Sequence, residues 1–213
     1  MTDAVALQGE RTDRRAPRGL WRRWAILAAL TGLALAVRLP HLNAFITPDE
    51  MKWVCRSANF YRGLTRGDLT QTFQTGHPGV ITMWLGVPFG EIALDTPWLD
   101  QCVRPNLADL IQESEPEVPE ELAAFLFKAR RGTVFVTSLL LALSVWLLAR
   151  LFGWRLASLA GVLLALEPFL LAHSRFLHLD AIVTSLLFPS VLALLVGLEK
   201  IRRRYLLLSG TLL

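Results

Sequence analysis

Apolar residues in this chain fall into long runs, not at the 3.6-residue or two-residue spacing of a half-buried soluble element. Four runs are uncharged or nearly so. The first, WAILAALTGLALAV, lies between Arg23 and Arg38. The second, GTVFVTSLLLALSVWLLA, lies between Arg131 and Arg150. The third runs from Leu156 to Ser174, interrupted by Glu167 and Pro168, and the fourth from Ala181 to Leu198. A fifth begins at Tyr205 and reaches Leu213. A helix needs roughly 20 residues to cross a bilayer. The pattern therefore predicts transmembrane helices at about 24–39, 132–149, 156–174 and 181–198, and an incomplete one at 205–213. The fold class expected is all-α: a polytopic integral membrane protein, truncated in its fifth span, with a long helical external loop between the first two transmembrane helices.

Composition agrees. Of 213 residues, 53% are hydrophobic and 19% charged, whereas a soluble domain averages about a quarter charged. The formal net charge is +4, but Lys and Arg sit beside apolar runs instead of forming a stripe, so nucleic acid is not an expected partner and membrane lipid is. The basic tail (residues 1–23) precedes the first run without a small-residue cleavage site after it, so that run reads as a retained helix and not a signal peptide.

Lys/Arg bias in short loops sets orientation. Arg11 to Arg23, Arg150 with Arg155, and Lys200 with Arg202–Arg204 fall on one side in an odd–even alternation. The reading is a multi-pass cell-membrane protein with a cytoplasmic N-terminus. Residues 41–131, with 12 acidic and 8 basic residues, then lie outside, as does the link from His173 to Asp180. Lys128, Arg130 and Arg131 stand on the wrong side for the rule, which long translocated loops tolerate. Within the external segment, Pro48–Leu64 reads as a helix opened by acids. Pro78–Gly90 reads as a re-entrant or interfacial piece, and residues 113–121 as an acidic linker. Cys55 and Cys102 both lie in this segment and could pair in an oxidising compartment.

Three places carry candidate chemistry. Asp49–Glu50 stands just past the outer end of the first helix, either as a helix-start pair or as a carboxylate whose pKa partial desolvation raises toward that of a general base. His77, in Gly76-His77-Pro78-Gly79, either faces a phosphate or only starts a helix. The link His173-Ser174-Arg175-Phe176-Leu177-His178-Leu179-Asp180 packs two His, one Arg and one Asp between apolar helices. Ionisable groups so placed are either caps and anchors or a functional site. Glu167 is expected to partner a buried cation or join the same site. Topology puts Asp49, His77, Arg175 and Asp180 on one face. Carboxylates with Arg and His at a membrane surface suit transfer from an anionic lipid-linked donor to a hydroxyl or amine. A transporter fragment, with Glu167, Arg175 and Asp180 on an ion path, and a non-catalytic membrane anchor or assembly subunit are the competing readings.

The order Arg38-Leu39-Pro40, Pro48-Asp49-Glu50, His77-Pro78, then Ser174-Arg175-Phe176-x-x-Leu179-Asp180 resembles the N-terminal half of GT-C superfamily membrane glycosyltransferases. These include the protein O-mannosyltransferases and the lipid A aminoarabinose transferases. The resemblance covers roughly residues 20–90 and 130–213. It implies inverting transfer of a sugar from a polyprenyl-phosphate donor to a protein, lipid or glycan acceptor on the external face. It places the catalytic carboxylate at Asp49 with Glu50 beside it, a second functional acid at Asp180, and a donor-phosphate contact at Arg175; His178, in the same link, is a further candidate substrate-binding residue. His77 is a further binding residue, although Gly79 replaces the second proline of the family's HPP motif. Some relatives use a divalent metal near the acids and others do without, so the metal is open and no other cofactor is expected. Family members usually carry more transmembrane helices and a C-terminal part that closes the donor cavity.

Overall fold

The computed structural model describes residues 16–43, 46–74, 79–90 and 120–213. Every regular element among them is helical: α1 (Ala16–Arg38), α2 (Pro48–Arg66), a 3-10 turn (Leu69–Thr72), α3 (Val80–Gly90), α4 (Glu120–Phe152), α5 (Trp154–Leu166), α6 (Pro168–His173), α7 (Leu179–Lys200) and α8 (Arg203–Leu212). Three are long and apolar enough to cross a membrane: Gly19–Arg38, Ala123–Phe152 and Leu179–Lys200. The protein is all-α and polytopic. His77 and the acidic linker, apart from its last two residues, lie outside the described residues, as does Cys102. Cys55 is disulfide-bonded.

Helix α4 organises the rest. Its 33 residues extend about 50 Å at 1.5 Å per residue, against roughly 30 Å of hydrocarbon. About two fifths of it therefore extends beyond that thickness; α3 packs on α4, and α2 packs on α3 and shares the outer core with α4. Met51, Trp53, Val54, Phe60, Met83, Phe125 and Leu177 form that outer core. Within the membrane-spanning part, Leu27, Leu30 and Ala34 of α1 meet Leu141 and Val145 of α4 and Ala157 and Ala165 of α5. On the other flank Leu147 packs with Leu192, Ala193 and Val196 of α7 and Tyr205 of α8.

Local sequence explains the element ends. Thr47 and Glu50 form a reciprocal capping box ahead of α2, with proline in the first turn. The helix stops at Gly67, whose φ of 70° admits the left-handed end; Gly67 N–H donates to Leu64 O and Asp68 N–H to Gly63 O. The third apolar run is divided. Glu167 ends α5 with φ −60° and ψ 120° and caps α6 by accepting from Phe169 N and Leu170 N, because Pro168 disfavours a helical residue before it. Glu167 is exposed and serves as this cap, which corrects the expectation that it partners a buried cation.

Candidate active site

The first two acids of α2 have separate fates, set by helix geometry. Successive residues point about 100° apart, so Glu50 turns into the protein while Asp49 faces out. Glu50 is fully buried and Arg130, projecting from α4, is 2% exposed. Arg130 Nε donates to Glu50 Oε1 at 2.7 Å and Nη2 to Oε2 at 2.6 Å, the two-pronged geometry that guanidinium and carboxylate favour. The remaining lone pairs are used as well. Leu177 N donates to Oε1 at 3.0 Å, Thr47 N to Oε2 at 3.0 Å and Thr47 Oγ1 to Oε2 at 3.2 Å. Arg130 Nη1 donates to Leu42 O, and its guanidinium lies 5.4 Å over the Phe176 ring. One ion pair thus joins the α1–α2 connection, α2, α4 and the link before α7.

Two further arginines fasten the same link. Arg38, 1% exposed at the end of α1, donates from Nε to Ser174 Oγ at 2.8 Å and from Nη1 to Ala165 O at 2.8 Å. The second bond satisfies one of the carbonyls that α5 leaves unpaired at its C-terminus. Arg38 also borders a cavity of 150 Å³ with Thr137, Ser144, Ser174, Thr184 and Ser185, large enough for a few waters. Arg175 donates to Pro40 O.

Asp49 lies on the outer rim. Its side chain is 60% exposed and 3.0 Å from Lys52 Nζ. The Lys52 hydrogen bond is the main cause that holds the carboxyl below the usual range; burial opposes it, and the charges of Lys52, His178 and Arg56 add smaller lowering effects. The expectation of a carboxyl raised toward a general-base pKa is therefore corrected: the Lys52 hydrogen bond, helped by the neighbouring charges, outweighs desolvation. His178 caps α7. Its Nδ1 accepts from Asp180 N at 3.4 Å and lies 3.3 Å from Asp180 Oδ2. Trp53 stands edge-on to His178 with centroids 6.4 Å apart, and Arg56 lies 4.7 Å over the Trp53 ring.

The structure thus brings Asp49, Glu50, Arg175, His178 and Asp180 to one end of the bundle. Asp49, His178 and Asp180 line the rim, Glu50 is interior, and Arg175 turns toward Pro40. Among the described residues no group of three or more His, Cys, Asp or Glu is gathered closely enough to hold a metal ion. Arg38 and Arg130 were not among the residues read as functional. Their signals were present: an arginine closing the first apolar run, and one on the side the charge rule disfavours.

The helices define a polytopic membrane protein, and the candidate residues within the described chain gather at one end of its bundle. Residues 121–213 match the family of dolichyl-phosphate-mannose-protein mannosyltransferases, under half of the chain. This supports a GT-C-like, mannosyltransferase-type membrane glycosyltransferase, in agreement with the motif order. The match takes in Arg130, Arg175, His178 and Asp180; Asp49 and Glu50 join them through the contacts described above. No curated protein and no solved structure matches significantly.

Proposed function

We propose that this protein transfers a sugar from a polyprenyl-phosphate donor to a hydroxyl acceptor, with a protein the favoured acceptor class, at the external membrane face. The observation that supports this reading is the rim itself. One exposed, ionised carboxylate, Asp49, faces the cations Lys52 and Arg56 and the imidazole of His178 directly above apolar spans. Asp49 takes the proton of the acceptor hydroxyl as its oxygen forms a bond to the anomeric carbon. The bond from that carbon to the donor phosphate oxygen breaks, and the charge of the departing phosphate is met by the rim cations. A carboxyl held low is a weak base while Lys52 is bonded to it. A donor phosphate that draws Lys52 away would raise the affinity of Asp49 for the proton where it is needed.

Asp180 holds His178 in place, Arg175 holds the link, and Glu50 acts as a positioning residue, since its lone pairs are already engaged. The oxidising compartment implied by the Cys55 disulfide is consistent with an external α2.

The test is sugar transfer from a radiolabelled polyprenyl-phosphate sugar in isolated membranes. Asp49→Asn is expected to lower the rate by about 100-fold or more at unchanged protein level. Lys52→Met is expected to move the acid limb of the pH–rate profile upward, because it removes the first cause of the low Asp49 pKa. An Asp49→Asn protein that keeps its rate would overturn the assignment.

A further inference from the structure

At the end of the bundle opposite Asp49, a cleft of 510 Å³ opens between α1, α4, α5 and the last turn of α7. Three cations border it, each from a different helix: Arg23 (α1), Arg150 (α4) and Lys200 (α7). Three tryptophans border it too: Trp24, Trp146 and Trp154. Arg150 lies 4.9 Å over the Trp146 ring and Arg23 5.9 Å over Trp154. Among the described residues no carboxylate is paired with any of the three cations. The catalytic reading makes no use of this cleft.

The site is built in the way a membrane interface favours. Tryptophan settles at headgroup level. The cation–π contacts hold the guanidinium groups of Arg23 and Arg150 at the cleft instead of letting them extend into water. Below the cations the lining turns apolar at Leu27, and exposed Leu156, Leu159 and Leu163 continue down α5. A ligand that fits carries negative charge at the top and a hydrocarbon chain beneath. We propose that this cleft binds one anionic glycerophospholipid, its phosphate between Arg23, Arg150 and Lys200 and an acyl chain along α5. Basic pockets between transmembrane helices take such headgroups, with about 1 kcal/mol, or fivefold in affinity, for each cation near the charge.

The experiment uses the protein reconstituted in nanodiscs of phosphatidylcholine doped with brominated phosphatidylglycerol or, separately, brominated phosphatidylcholine. Bromine quenches nearby tryptophan, and three of the chain's seven tryptophans border the cleft. Quenching is expected to rise at lower mole fractions with phosphatidylglycerol than with phosphatidylcholine. Arg150→Gln should weaken that preference about fivefold, and Arg23→Gln with Arg150→Gln about 25-fold, with helicity by circular dichroism unchanged. The control Arg202→Gln/Arg203→Gln/Arg204→Gln removes charge at the same end outside the cleft and should keep the preference.

Equal quenching by the two lipids in the unmodified protein overturns the proposal without recourse to any variant. So does loss of preference in the control equal to that in the cleft variants, which would assign the effect to overall surface charge. Reversal of phosphatidylglycerol quenching by millimolar glycerol 3-phosphate would assign the site to a free phosphate compound and overturn the lipid assignment.

Discussion

Adjacent carboxylates in this protein do opposite work because one helical step separates them. Glu50 is buried with all its partners inside the protein, and Asp49 stands on the rim beside Lys52. Removing one member of a buried, hydrogen-bonded pair leaves the other charge unpaired, at a cost of about 3–5 kcal/mol. Glu50→Ala and Arg130→Ala are each expected to lower stability by that order in detergent, read by thermal unfolding. The double variant Glu50→Leu/Arg130→Met should recover a large part of the loss. Asp49→Asn should leave the unfolding temperature nearly unchanged, since an exposed ion pair contributes little. The sequence reading named both acids but had no means to separate them: the difference depends on Arg130, 80 positions away. Arg38 escaped for the same reason, because its partner Ser174 lies 136 positions on.

Elements were more legible than contacts, since helices are written in local patterns. Capping at Thr47, the acidic first turn of α2, the interruption at Glu167–Pro168 and the half-membrane length of α3 all rest on residues within a turn of each other. How α3 seats on α2 is not local. A Cβ at Gly79 would overlap the Trp53 ring, and one at Gly86 would overlap Ser57 Oγ, so close approach at both positions depends on glycine. Gly86→Leu should therefore push α3 away from α2. The expected readout is increased labelling of a cysteine placed at Thr82, now fully buried, relative to the same cysteine with Gly86 intact. Glu167→Ala removes the cap of α6 and should cost about 1 kcal/mol, far less than the buried pair.

At the scale of the whole molecule, the apolar runs made the class of protein plain, while the continuity of α4 was not foreseen: Lys128, Arg130 and Arg131 separate its first turns from the apolar run, and those turns read as external loop. Sidedness remains the central expectation here. Cysteines introduced at Gln71 and Ala172, both exposed, should react with an impermeant reagent from the same side in intact vesicles. Labelling from opposite sides would separate α2 from the 173–180 link and dismantle the rim.

Helix α4 also serves as a ruler. Arg130 and Arg150 are 20 residues apart on one unbroken helix, about 30 Å, which is the thickness of the hydrocarbon layer. The level at which Glu50 and its neighbours ride above the lipid is thus written as a number of residues. Deleting four residues between them would draw the outer assembly roughly 6 Å toward the opposite face without touching a single functional side chain. Membrane thickness then becomes a variable of the reaction, and lipids of differing chain length should tune it.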